Sequence, residues 1–537
     1  MRNKWILGAL ALLPASAILP ASAHADDSVR VSVTDTMTTE YRVDNGNARD
    51  DDDNFGLLLN RLNLTGSDGA ISTQLRLDTV YFPDETLFFP DPPSETFRDD
   101  VRLERLAVQY KLGQWKLRAG DFYRQVGRGI ALSVRKADEA GLDVVLRGGE
   151  VAYRNDTQKV ALFAGQTNPA NIDTVNLSFI EDTDDIIVGG DYEFSGIEGL
   201  TLGTYAVFLK PNEVLLKGQR DFTISDGVYA ELPSLTDWMS VYIELGSQRT
   251  QLAGAVSTGR GFGSTILANA FAAYSTIDLN FESVGPGDLL FLIELLMLDD
   301  YEVKGSRSTS TGSRFDYNFA PTLERIDQEV FDNSDVRGAR LKVDYAFEDP
   351  ELVLFANAMF RINNIGDAGQ VEMFHGYGGF ELLYQDGASR LTTSGGHREE
   401  HNADGLFKAI DHFEVDLVQH LGGSLSAHVT SNVEFRLLED VDFIRGSSFA
   451  GLDKVGLGGL TFEFGYDTQD PNPDVRNLFF AGILMVDAHS LLDMTAMGGL
   501  EMRATVGTQR GGIKCISGVC REFPAFAGGR LEVIGRF

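Results

Sequence analysis

Apolar and polar residues alternate one for one along most of the chain. Between Asp411 and Leu421, Phe413, Val415 and Leu417 share one face, and His412, Glu414, Asp416 and His420 share the other. After Gly422-Gly423 the alternation resumes, with Leu425, Ala427, Val429, Val433 and Phe435 set against Ser426, His428, Thr430, Asn432, Glu434 and Arg436. Successive side chains of a strand point to opposite faces, so this period of two predicts strands, and the glycine pair predicts a hairpin. A connection at Leu421–Gly423 would pair Asp416 with His428 and His412 with Asn432 across one polar face. Similar runs at Ile71–Tyr81, Leu106–Leu112, Val160–Ala164, Leu200–Leu209, Leu341–Phe347, Leu352–Ile362, Leu457–Tyr466 and Leu478–Val486 predict further strands.

The connections alternate as well. Gly66–Gly69, Gly113-Gln114, Asn155–Thr157 and Glu348–Pro350 are tight, whereas Val43–Asn54, Pro83–Asp100, Lys304–Val336 and Gly387–Gly405 are long and polar. Short turns on one side and long loops on the other are the habit of transmembrane barrels. A soluble β-sandwich alternates too, hiding its apolar face in a core and exposing the polar one; the export address, the unbroken run of strands and the ionisable residues on so many polar faces favour a barrel, which turns those faces to a wet lumen and the apolar ones to lipid. The expected fold is an all-β, transmembrane antiparallel β-barrel, of about 20–22 strands at ~22–25 residues per strand and connection. One segment resists the pattern. Asp288–Asp299 is apolar on both faces and too short for a spanning helix, so it is expected as a strand packed inwardly against a plug, with a short helix as the alternative.

The first residues read as an export address. Met1–Lys4 is basic, Trp5–Leu13 is apolar, and small residues follow to Ala25, which predicts a secretory signal peptide over residues 1–25 cleaved after Ala25. Residues 26–537 then form one barrel domain. The chain carries 79 Asp and Glu against 46 Lys and Arg, a formal charge of −33. That balance excludes a nucleic-acid binder, which needs clustered cations to neutralise phosphate. At the other end, Ala527, Gly529, Leu531, Val533 and Phe537 alternate with Arg530, Glu532 and Arg536. A last strand ending in Phe537 resembles the signal read by the outer-membrane assembly machinery, although Gly535 stands where that signal usually has a bulkier residue. The partners expected are therefore outer-membrane lipid, that machinery and small solutes, and the expected location is the outer membrane.

Two stretches carry a family likeness. Gly120-Asp121-Phe122-Tyr123-Arg124-Gln125-Val126-Gly127-Arg128-Gly129-Ile130, with Arg135, Gly141–Asp143 and Leu146–Gly149, is the first; Gln509–Phe526, with Cys515 and Cys520, is the second. Together they resemble a family of uncharacterised bacterial outer-membrane β-barrel proteins, and Tyr317–Leu323 is a third, weaker match. The resemblance implies barrel and location. It assigns no substrate and no catalytic residue.

Candidate chemistry is sparse. Asp121, Arg124, Arg128, Arg135, Asp143 and Arg147 crowd among glycines, as in a constriction of Arg–carboxylate pairs that selects solutes or in a polar network that pins a plug to the wall. Gly127-Arg128-Gly129 lacks the Lys-Ser/Thr ending of a phosphate loop. His412, Glu414, Asp416, His420, His428 and Glu434 are read as a lumenal face that could titrate near neutral pH. His397 and His401 have the i, i+4 spacing of a helical metal pair but not its HExxH order, and they are expected in a solvated loop. Asp50–Asp53 and Asp99-Asp100 match no calcium loop. No GxSxG elbow is present, so no catalytic residue, metal or cofactor is assigned and an enzyme is not expected. The functional expectation is a porin-like channel with a weak preference for cations; the alternative is a non-conducting surface barrel whose long loops bind partners.

Cys515 and Cys520 are the chain's two cysteines. In an exported protein such a close pair is best read as a disulfide closing a small loop. Thiol labelling under non-reducing, denaturing conditions is therefore expected to find no free cysteine, and labelling of both would contradict the bond.

Overall fold

The computed structural model describes residues 29–44, 55–82, 99–137, 142–169, 179–213, 220–252, 266–307, 314–325, 333–367, 369–469, 477–488, 499–516, 519–523 and 525–537. The leader expected at residues 1–25 and the acidic run Asp50–Asp53 lie outside them.

Each long strand pairs antiparallel with the next along the chain, beginning with Val29–Asp44 against Phe55–Asp68. The last strand, Phe526–Arg536, pairs with Gly499–Gln509 on one side and returns to Val29–Asp44 on the other, with Thr38 opposite Glu532. The sheet thus closes as a barrel of 24 antiparallel strands. That exceeds the 20–22 expected, because several connections shrink to two residues, as at 237–238, 285–286 and 403–404. Strand lengths run from 8 residues at Trp115–Phe122 to 19 at Ile266–Val284. Crossing a hydrocarbon layer takes about 9–11 tilted residues, so most strands suffice. No helix among the described residues is long and apolar enough to cross a membrane.

The two faces differ sharply. Outward side chains include Leu162, Phe413, Phe435 and Phe480, all more than half exposed, while their inward neighbours Phe163, His412, Glu434 and Ala481 are buried. Trp115 and Trp238 sit beside tight turns at one end, Trp115 tilted against Tyr153 at 5.0 Å and Trp238 stacked on Phe281 at 5.3 Å. Exposed amphipathic rings at that level are what a membrane–water boundary favours. Gly535 lies opposite Asp35 in register, and Asp35 Oδ1 accepts from Asn60 Nδ2 at 2.7 Å.

Two local expectations need correction, and one is met. The hairpin around Gly422 pairs His412 with Glu434 and Asp416 with Thr430, two residues from the expected register, because the turn falls at Gly423-Ser424 and not at Leu421–Gly423, with a bulge between His420 and Gly422 just before it. Gly387–Gly405 is not a long loop: Ser389–Asn402 is a strand, disguised by Gly395-Gly396 and by polar residues on both faces. His397, Glu399 and His401 therefore stand on its outer face, and Arg398 and Glu400 are buried on its inner one. The segment apolar on both faces is a strand, Gly287–Asp299, and its inward Leu296 and Leu298 are buried.

A closed barrel leaves no unpaired edge, and its backbone hydrogen bonds resist detergent. Detergent-solubilised protein should give a β-dominated circular dichroism spectrum with a folded band of altered mobility in unheated gels; a helical spectrum would sink the architecture.

Candidate functional site

Among the described residues, two connections with short strand pairs of their own turn back into the lumen. Both leave from the end opposite the tight turns 113–114, 155–157 and 285–286. The first follows Trp115–Phe122 and folds as a small hairpin, Arg124–Val126 against Leu132–Val134. The second follows Gly287–Asp299; Lys304–Arg307 pairs with Arg314–Asp316, and the chain continues inward through Tyr317 to Arg325. Ile130, Ala131 and Leu132 from the first, and Tyr301, Val303 and Tyr317 from the second, join wall residues Tyr205, Tyr242, Leu296 and Leu298 in one buried apolar cluster. This is the plug against which the doubly apolar strand packs. The weakly family-like fragment Tyr317–Leu323 lies inside it.

Glycine makes the approach possible. Gly120 has φ +97°, and a Cβ there would stand 1.9 Å from the Leu106 carbonyl oxygen. Gly127 has φ +52°, and its Cβ would fall 2.4 Å from a Glu244 carboxylate oxygen. Glu244 is completely buried, and it accepts hydrogen bonds from the Tyr205 and Tyr242 hydroxyls at 2.7 and 2.5 Å and from the Arg128 backbone N–H at 2.9 Å. A buried carboxylate is costly unless hydrogen-bonded, so this node fixes the hairpin tip. Ser133 N–H donates to the Tyr317 carbonyl at 2.7 Å, and Phe319 N–H donates to that of Gly129 at 2.9 Å, which ties the two inward segments together.

The six residues expected as one Arg–Asp network divide among separate tasks. Asp143 accepts from Arg76 at 2.6 Å, from Arg105 at 2.8 Å and from the Tyr123 hydroxyl at 2.6 Å. Asp121 holds Arg147 at 3.0 Å and caps the Leu106 N–H at 2.7 Å. Arg124 pairs with Asp191. Arg128 and Arg135 lie over the rings of Tyr242 and Phe319, each 4.5 Å from the centroid. Sequence spacing could not separate these partners, because Asp191, Glu244 and Arg76 come from distant strands.

At the far end of the second segment, Thr322 O accepts from Arg361 at 2.8 Å, Glu324 Oε1 lies 2.6 Å from His375 Nδ1, and Arg325 pairs with Glu414. His375 Nε2 is 2.9 Å from His412 Nε2. His412 and Glu414 thus stand in this buried group, while Asp416 reaches His428 at 3.0 Å and Arg390 at 3.0 Å nearby. Glu434 pairs with Arg436 at 2.6 Å, and His420 sits apart at the turn bulge. Glu324, Arg325 and His375 were missed; a Glu-Arg pair in a polar loop looks solvated until the loop turns inward. At the node where this segment begins, Tyr317 donates to Asp185 at 2.7 Å, and burial with that carboxylate beside it pushes its hydroxyl well above the ordinary range, so it remains a donor.

Asp99 and Asp100 are used locally, accepting from Phe82 N–H and Arg102, both at 2.8 Å. Cys515 and Cys520 are direct partners in the antiparallel pair Gly512–Ile516 with Val519–Phe523. Directly opposed residues have Cα atoms roughly 4.5–5.5 Å apart, within a disulfide's reach. Among the described residues no group of three or more His, Cys, Asp or Glu could hold a metal ion.

No family model matches the chain, and no curated protein does either. Solved structures similar to it are outer-membrane barrels. The siderophore receptor PirA from Pseudomonas aeruginosa aligns over 95% of this chain and 80% of its own, at 10% identity and a TM-score of 0.46. The P pilus usher PapC translocation pore aligns over 94% and 99%, at 8% and 0.43, and OccK5 (OpdH) from Pseudomonas aeruginosa over 76% and 97%, at 11% and 0.38. At such scores the architecture rests on this chain's own closed register.

Replacing Asp143 by Asn would strip buried Arg76 and Arg105 of a shared counter-charge. Breaking a buried ion pair costs about 3 kcal/mol or more. Asp143→Asn should lower the temperature at which the folded gel band disappears, and an unchanged midpoint would refute the role given to this carboxylate.

Proposed function

We propose that the protein is an outer-membrane channel of porin type for small solutes, exported by residues 1–25 and inserted through recognition of the strand ending at Phe537. It is also read as non-enzymatic, and as a member of the barrel family that its Gly120–Gly149 and Gln509–Phe526 segments resemble. The observation that carries the channel reading is the division of the lumen. The inward segments bond to wall strands from Gln158–Pro169 round to Gly405–Gly422. Beyond these, the wall pairs its charges along itself: Glu40 with Arg42 and with Arg530 at 2.7 Å, Glu434 with Arg436, and Asp467 with Arg445 at 3.0 Å and Arg510 at 3.2 Å. A surface of laterally paired acids and bases suits a wet passage beside a partial plug.

A weak cation preference has support from the acidic balance of the chain, 79 Asp and Glu against 46 Lys and Arg. Fixed charge of one sign raises the counter-ion concentration in a narrow channel, screened over ~10 Å at 0.1 M salt. The arginines that could reverse this are engaged: Arg147 with Asp121, and Arg128 and Arg135 over aromatic rings. The surface-adhesion reading is weakened at one of its loops, since Tyr317–Arg325 from the expected Lys304–Val336 connection is turned into the lumen.

Purified barrel in a planar bilayer should show unitary steps and, across a KCl gradient, a reversal potential of the sign for cation preference. An anion-selective reversal would overturn the preference, and no conductance under any condition would overturn the channel.

A further inference from the structure

The lumenal face of the first five wall strands holds a cavity of about 730 Å³. Its floor is two rungs of the sheet. Arg30, Ser67, Ser72, Gln109 and Arg118 stand opposite one another in register, from Val29–Asp44 across to Trp115–Phe122. The next rung inward is Ser32, Thr65, Gln74, Ala107 and Gly120. All of these but Gly120 line the cavity, and Arg105, Asp121, Phe122, Tyr123 and Val145 close its inner end. The first rung lies within four residues of the tight turns 69–70 and 113–114, so the cavity occupies the short-turn mouth of the lumen.

Charge and polarity together define what fits. Three guanidinium groups line the cavity, and Asp121 is the one carboxylate among the described residues that do. Its charge is already committed to Arg147 at 3.0 Å and the Leu106 N–H at 2.7 Å. Arg105 is answered by Asp143 at 2.8 Å. Arg118, by contrast, donates to a neutral group, Gln109 Oε1 at 3.1 Å; Glu150 stands 3.8 Å from it and is held closer by Lys116, at 2.7 Å. Arg30 is exposed and has no hydrogen-bond or ion-pair partner among the described residues. Two positive charges are thus left without a close counter-charge, one at each end of the first rung. Four strand spacings separate their Cα atoms by roughly 19 Å, which leaves room for a body of several carbons and not only an inorganic ion. Between them lie four hydroxyls, on Ser32, Thr65, Ser67 and Ser72, and the amides of Gln74 and Gln109. Such groups both donate and accept, and so match the hydroxyls of a polyol.

We propose that this cavity binds a small hydroxylated carboxylate. Arg118 takes the carboxylate: a guanidinium forks onto two carboxylate oxygens, and Gln109 and the Phe122 ring, 5.8 Å away, hold this one in place beforehand. Arg30 attracts the anion at the mouth, and the hydroxyl and amide rungs receive its body. The site is compatible with a weak preference for small cations, because a reversal potential sums the whole passage while these arginines act over the ~10 Å that salt leaves unscreened.

Passage of the bound solute rests on the channel reading; binding does not. Calorimetric titration of the folded barrel in detergent tests binding directly, with gluconate as the probe. Sorbitol has the same skeleton without the carboxylate, and hexanoate has the carboxylate without the hydroxyls. Gluconate should bind saturably, and ~tenfold or more tighter than either, since each comparison removes hydrogen bonds that the site is built to make. Arg118→Gln should weaken gluconate ~tenfold, the scale of a lost hydrogen bond to a charged group, and leave sorbitol unchanged. Arg30→Gln alters an exposed side chain with no partner to lose; it should weaken gluconate at low salt, and less at high salt. The folded gel band identifies variants that retain the barrel. Absence of saturable gluconate binding, equal binding of sorbitol or hexanoate, or gluconate binding unchanged in both arginine variants overturns the site. Gluconate binding by a barrel that carries no current upholds the site and overturns the channel.

Discussion

Everything in this molecule depends on the closing pair between Val29–Asp44 and Phe526–Arg536. A backbone in hydrocarbon has no water to bond with, and an open sheet edge would leave a row of unpaired N–H and C=O groups. Thirteen-residue strands are worthless in lipid until the last one finds the first. That register, Met37 against Val533 and Glu40 against Arg530, also delivers the Arg530–Glu40 ion pair to the lumen. Main-chain closure and side-chain pairing are one event.

Closure at 24 strands creates a second problem, because a ring that wide encloses more space than wall side chains can fill. The chain answers with two of its own connections. Each is anchored by a carboxylate buried among donors: Glu244 under the Arg124–Val134 hairpin, and Asp185 where the second segment crosses, accepting from Tyr317 and from the Ser306 N–H at 2.8 Å. Apolar packing of Ile130, Leu132, Leu296, Leu298 and Val303 supplies the non-directional part of the adhesion. The carboxylates supply the position. One side of the lumen becomes a solid interior, and the other keeps its charges in lateral pairs.

This division explains why the acidic excess of the chain is a poor guide to its chemistry by itself. Asp143, Asp121 and Glu244 are each committed to named partners, and Arg124 pairs across to Asp191. What remains away from the inward segments is the Glu40–Arg42–Arg530 and Asp467–Arg445–Arg510 groups of the wall.

The strands themselves were legible in the sequence, because alternation is imposed residue by residue wherever one face meets lipid and the other water. Phe413 out and His412 in needs no partner strand to be read. The spacing of Cys515 and Cys520 suggested a closed loop without showing the two short strands that carry them, and the apolar strand Gly287–Asp299 announced something packed inside. Register was not legible: a turn at Gly423-Ser424, with a bulge just before it, moved His412 from Asn432 to Glu434. Nor was the strand Ser389–Asn402, whose outward His397 and Glu399 break the apolar face at its loop end. The site lay furthest from reach. Glu324 and His375 are 51 residues apart, and His375 and His412 are 37 apart. Their contact requires two strand registers, a glycine at 396 and an inward turn of a polar loop, all at once. Local pattern determined which residues face which way, while only tertiary closure decided which of them touch, because contact across a lumen is set by the whole ring and by no segment of it.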